Sequence, residues 1–174
     1  MDGRWAVTRQ VNLQVPWELA GQAQTTVTAG TGGLTSAAQA VNLAPFAPGI
    51  FSMNSQGTGQ GAVQDANFRL VDSSNPAATG DVILIYCTGL GPVANPPPSG
   101  WPAPLSPLAE TSTKPSVTIG GAPAEVTWAG LTPTTVGLYQ VQALVPPAAL
   151  RGTAVPVTLS IGGVDANTVT IAVR

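Results

Sequence analysis

The chain has 174 residues, of which only 8% are charged, with a formal net charge of -2 and no histidine. The six basic residues, Arg4, Arg9, Arg69, Lys114, Arg151 and Arg174, are scattered, so the clustered cations that nucleic acid requires are missing. Without histidine there is no Ser–His or Cys–His triad and no imidazole metal ligand, and no apolar run approaches the roughly 20 residues that span a bilayer.

The 20 glycines and 17 prolines punctuate runs of Val, Ile and Thr, which is the pattern of an all-β chain with many turns. Trp5 to Thr8 has strand-capable content. Gln10 to Pro16 reads as a strand with Val11, Leu13 and Val15 on one face. Thr25 to Ala29 and Ala38 to Ala44 follow as strands around Gly32-Gly33, and the prolines of Ala44-Pro45-Phe46-Ala47-Pro48-Gly49 mark a module boundary. Ile50 to Met53 and Gly61 to Gln64 are short strand candidates. Val82 to Cys87 is a continuous apolar run, read as a strand buried on both faces, with Cys87 as a small core hydrophobe. Asn95 to Leu108 holds six prolines and is expected to be extended, with polyproline character.

Strands resume at Ser116 to Ile119 and Ala124 to Trp128. In Val136 to Val145, the residues Tyr139, Val141, Ala143 and Val145 share one face, with Gln140 and Gln142 on the other. Val155 to Ile161 and Val169 to Val173 complete the count, and Pro156 is expected outward on an edge or at a bulge. The last three strands, with their Gly162-Gly163 turn, are a second use of the pattern in residues 10–44, where Gln10-Val11-Asn12-Leu13-Gln14-Val15-Pro16 matches the strand ending at Val145-Pro146. The expected fold is therefore an all-β, immunoglobulin-like antiparallel sandwich, with a complete module over residues 45–174 and a partial module over residues 1–44.

Val11-Asn12-Leu13-Gln14-Val15-Pro16-Trp17-Glu18-Leu19, Ala47-Pro48-Gly49-Ile50-Phe51, Gly80-Asp81-Val82-Ile83-Leu84-Ile85-Tyr86 with Thr88-Gly89-Leu90-Gly91, Val117-Thr118-Ile119-Gly120-Gly121, Gly137-Leu138-Tyr139-Gln140-Val141 and Asn167-Thr168-Val169-Thr170-Ile171 together resemble the Solibacter-type C-terminal domain of exported acidobacterial proteins. The resemblance covers nearly all of residues 10–174. It implies tandem immunoglobulin-like or TIG-like sandwiches, an extracytoplasmic setting and Arg174 as a natural C-terminus, and it brings no catalytic residues. Members of that family carry further strands ahead of the Gln-Val-Asn strand, with a counterpart of Gly120-Gly121-Ala122-Pro123-Ala124. Residues 10–44 lack them.

Three strands with an apolar face do not stand alone in water. Completion is expected from residues 1–9, from packing on residues 45–174, or from a strand of a neighbouring copy, the last being a route to filaments. Val11, Leu13, Val15 and Trp17 are the assembly candidates, with Trp17 suited to a module joint. Pro98, Trp101 and Pro102 form a candidate recognition loop for an extracellular glycan or protein, since an exposed Trp on a proline frame supplies much contact area.

Chemistry is sparse. The carboxylates form no evident glycosidase pair and no Asp-x-Asp-x-Asp calcium loop, and Asp65, Asp72 and Asp81 read as turn acids. Lys114, the single lysine, with Glu125 one strand away, raises the idea of an internal amide crosslink. Met1 to Pro16 lacks a signal-peptide layout, so export information is expected to have been removed, or the chain to be a piece of a longer protein. The expectation is a non-enzymatic, secreted or surface-displayed structural module that self-associates, with no cofactor, no metal, no nucleic acid and no membrane span.

Overall fold

The computed structural model of the chain describes residues 11–174, so Trp5 to Thr8 and Gln10 lie outside the described residues. After a 3-10 turn at Trp17–Leu19, fourteen strands follow. Four are in the N-terminal part: β1 (Gln24–Val27), β2 (Gly30–Thr31), β3 (Leu34–Thr35) and β4 (Gln39–Asn42). The rest are β5 (Gly49–Ile50), β6 (Val63–Asp65), β7 (Val82–Thr88), β8 (Ser116–Ile119), β9 (Ala122–Ala124), β10 (Val126–Leu131), β11 (Tyr139–Leu144), β12 (Gly152–Ile161), β13 (Val164–Asp165) and β14 (Val169–Val173).

Residues 45–174 form an antiparallel β-sandwich. One sheet runs β10-β11-β7-β5, with β6 also on β7, and the other runs β13-β12-β8-β9, with β14 also on β12. The alternation in β11 has the expected consequence: Tyr139, Val141, Ala143 and Val145 are buried in the core with Ile83, Ile85 and Cys87 of β7. Val117, Ile119, Val157, Leu159, Val169 and Ile171 face them from the second sheet. Val82 and Tyr86 are half-buried while Ile83, Leu84, Ile85 and Cys87 are buried, so the apolar run of β7 is covered on both faces along its middle.

Specific polar contacts hold the two sheets and their turns in place. Asn167 accepts the Ile50 N–H at 2.7 Å and donates to the carbonyls of Ile50 (2.9 Å) and Gly57 (2.6 Å), tying β5 and its loop to the β13–β14 connection. The Tyr139 hydroxyl donates to the Gly91 carbonyl, fixing the turn after β7 to β11. Burial, with a smaller effect of Cys87 close by, pushes that phenol up to about 12, so it remains a donor throughout the physiological range. Gly89 has φ +71°, and a Cβ there would collide with the Ala47 carbonyl, so the turn that seats residues 45–47 requires glycine.

Pro156 lies inside β12, which has partners on both sides, and not on an edge strand. Its carbonyl accepts the Gly120 N–H at 2.8 Å where β8 has just ended, beside the register shift between Gly152 and Val155, so no ladder bond requires the N–H that it lacks.

Residues 11–16 form no strand, contrary to the alternation of Val11, Leu13 and Val15. A strand needs hydrogen-bonding neighbours as well as a dry face, and the two that flank β11, namely β7 and β10, are already used by it.

Tyr139→Phe removes the donor while preserving the ring. It is expected to lower the unfolding free energy by about 1–3 kcal/mol through the stranded Gly91 carbonyl. A shift of the urea midpoint at unchanged slope checks this, and an unmoved midpoint contradicts it.

Candidate functional site

The N-terminal hairpin and the C-terminal hairpin are the same object in two environments. Gly32-Gly33 and Gly162-Gly163 stand 130 residues apart, and at that spacing every pairing repeats: Thr25 with Val41 as Val155 with Ile171, Val27 with Gln39 as Val157 with Val169, and Thr31 with Leu34 as Ile161 with Val164. The Ser36 N–H reaches the Ala29 carbonyl at 2.8 Å, as the Ala166 N–H reaches that of Leu159 at 2.8 Å. The glycine dihedrals agree as well, with φ of +56° and +79° in the first turn and +58° and +80° in the second. Even the turn after each proline recurs, with Leu19 N–H on Pro16 and Ala149 N–H on Pro146.

What differs is coverage. Val11, Leu13, Val15, Val27 and Val41 are 77%, 64%, 51%, 36% and 41% exposed, while their counterparts Val141, Ala143, Val145, Val157 and Ile171 are at 0–1%. In the C-terminal copy β8 pairs with the outer edge of β12, with Ser116 against Ser160 (2.7 Å) and Thr118 against Thr158 (2.6 Å) joined through their hydroxyls. The outer edge of β14 is capped by Gly59, Gly61 and Ala77. Among the described residues, β1 and β4 form a two-stranded sheet by themselves, with no strand on either outer edge. Phe46 packs over Gly162, whereas the space around Gly32 is open.

The hairpin is tethered by a polar joint. Trp17 donates its backbone N–H to the Ser99 hydroxyl (2.9 Å), that hydroxyl donates to Glu18 Oε2 (2.6 Å), and the Gly100 N–H reaches Gln14 Oε1 (2.9 Å). The Trp17 side chain is half-buried against the sandwich core, so of the four assembly candidates it anchors within its own chain, while Val11, Leu13 and Val15 face outward. A cleft of about 910 Å³ is lined by residues 11–14, 50–52 and 136–138 together with Ser55, Gly57 and Thr88. Sequence reading did not find Gln14, Glu18, Ser99 and Gly100 as joint residues, because their partners lie more than 80 positions apart and no local pattern signals them.

In the Pro-rich loop, the Trp101 N–H donates to the Pro98 carbonyl at 3.0 Å, closing a tight turn that presents the Trp101 side chain at 66% exposure beside exposed Pro98 and Pro102. Two residues on, Ala103 bridges to Pro133. Pro133 lines a shallow cleft of about 250 Å³ together with Leu108, Trp128, Gln140 and Gln142, and Trp128 donates its indole N–H to Glu110 (3.1 Å).

The acids act as turn residues. Asp65 accepts N–H bonds from Asn67 and Arg69, pairs with the Arg69 guanidinium at 2.7 Å and accepts from the Asn75 amide. Asp72 caps Ser74 and Asn75, and Asp81 accepts the Ala78 N–H. Among the described residues no group of three metal-ligating side chains comes together. Lys114 and Glu125 are both exposed, which removes the buried amine and carboxyl that an internal amide crosslink needs. Among the described residues no helix is long and apolar enough to cross a membrane. No family model, curated protein or solved structure matches the chain.

The Asp65 carboxyl is held well below the usual carboxylate range, first by the Arg69 N–H. Asp72 and Glu18 are also lowered, chiefly by the hydroxyls of Ser74 and Ser99. A depressed native pKa contributes stability above the unfolded value of about 3.9 and loses it below. The urea midpoint is therefore expected to stay level from neutral pH to roughly 5 and to fall below about 4. Asp65→Asn should lower the neutral midpoint and flatten that fall, and an unchanged acid limb in this variant contradicts the assignment.

Proposed function

We propose that the chain is a non-catalytic structural module of immunoglobulin-like kind, exported or surface-displayed. It joins other polypeptides, other copies of itself first, by strand addition to its N-terminal hairpin. The observation that carries this reading is the pair of matching hairpins, one with its apolar face and edge covered and the other, among the described residues, with both open. Covering a Val or Leu side chain contributes about 1.5–3 kcal/mol, so the open set supplies a driving force for association that the covered set has already spent on folding. Further support comes from composition, with few charges, a Thr/Ser/Gln surface and a resemblance to the Solibacter-type domain of exported proteins.

A second reading, a glycan or peptide binder, is favoured by the exposed Trp101 turn, through Ala103, next to the cleft of Trp128, Gln140 and Gln142. Under it, Trp101→Ala abolishes a ligand-induced change in tryptophan fluorescence.

Light scattering on the full chain and on residues 45–174, each checked for folding by circular dichroism, tests the primary reading. The full chain is expected to exceed its 17.5 kDa mass increasingly with concentration, while residues 45–174 remain monomeric. A full chain that is monomeric at every concentration contradicts assembly.

A further inference from the structure

Backbone direction in the open hairpin is fixed by two bonds: Leu43 N–H to the Ala23 carbonyl at 2.9 Å and Ser36 N–H to the Ala29 carbonyl at 2.8 Å. Residues 23 and 29 thus turn their polar groups toward β4 and β3, and Thr26, Thr28 and Gly30 turn theirs to the open side. On the equivalent side of β12, the Thr158 position receives an antiparallel strand that places Thr118 opposite it.

The edge also carries neither charge nor proline against like pairing with like. Between Glu18 and Asp65 no residue is charged, and no proline lies between Pro16 and Pro45, so neither repulsion nor a missing N–H blocks approach along Gln24 to Gly30.

Building on the assembly reading above, we infer that the occupant of this edge is the Gln24–Gly30 segment of a second copy of the chain, that is β1 and the residues that lead it into β2, antiparallel, with the two-fold axis at Val27. This register pairs all seven residues Gln24 to Gly30. Thr26 then opposes Thr28 of the other copy in the two central hydrogen-bonded pairs, repeating the Thr118–Thr158 arrangement. Val27 meets its own symmetry mate in a non-hydrogen-bonded pair. The axis is perpendicular to the sheet, so Val27 and Val41 of both copies share one face. The result is a four-stranded sheet β4-β1-β1-β4 with an isologous, closed interface, and not an open head-to-tail chain. The apolar pattern excludes a one-residue slip, which turns Val27 to the opposite face, and among the registers that remain only this one forms two Thr26–Thr28 pairs.

The test is Val27→Cys in the full chain. In a non-hydrogen-bonded pair the two Cβ atoms lie about 4.5 Å apart, within reach of a disulfide. Cys87 is buried, and burial raises its thiol pKa, so it does not compete. Oxidation by dissolved oxygen with copper phenanthroline joins the two thiols with loss of two protons and two electrons. Val27→Cys should give at least ten times the covalent dimer seen for Thr26→Cys or Thr28→Cys, and Thr28→Pro in the otherwise native chain should scatter as a monomer. Crosslinking strongest at Thr26→Cys or Thr28→Cys overturns the register. A chain that self-associates while Val27→Cys stays uncrosslinked overturns this inference and leaves the broader assembly reading intact. A chain that is monomeric at all concentrations removes both.

Discussion

A β-strand carries two rows of backbone hydrogen-bonding groups and two faces, and the behaviour of this chain follows from which of them are covered. In β12 both rows are used, by β8 on one side and by β13 and β14 on the other, and its inner face lies in the core. In β1, among the described residues, one row is used and both faces meet solvent. The two hairpins share register, turn glycines and hydrogen bonds, so local sequence is not what separates them. The difference is the presence of β5 to β11 around one and not the other.

That asymmetry is the observation on which the proposed assembly rests. The sandwich supplies a rigid body held by Asn167, Tyr139 and the Gly89 turn, and the joint at Ser99 and Glu18 fixes where the hairpin leaves it. Ser99 sits in the same Pro-rich loop as Trp101, so the tether and the exposed indole belong to one structural unit. Anything that loosens Glu18 from Ser99 acts on the presentation of the hairpin and of that loop together.

Much of this was legible in the chain itself. The alternation of Tyr139 to Val145 named the core face of β11 residue by residue, and the paired Gly-Gly turns announced the duplicated hairpin. Val82 to Cys87 lies within β7, and Ser116 to Ile119 and Val169 to Val173 coincide with β8 and β14. The failure at Val11 to Val15 is instructive: alternation reports a face that could be buried, whereas strand formation depends on neighbours, which no local pattern encodes. Of the two places expected for Pro156 the edge is not used, since β12 has partners on both sides, and the proline sits outward beside the register shift where β8 ends. The clamp by Asn167, the Trp128–Glu110 bond and the Gln14 and Glu18 contacts are long-range pairings of ordinary polar residues, and only the folded chain brings them together.

Amide hydrogen exchange read residue by residue, at low and high protein concentration, tests the central claim most directly. At low concentration the Thr26, Thr28 and Gly30 amides are predicted to exchange nearly unprotected, while Thr158 and Ser160, their counterparts against β8, resist exchange throughout. At high concentration the first set gains protection and the second is unchanged. Equal, concentration-independent protection of both sets would show that the N-terminal edge is already covered within one molecule, and would contradict the account.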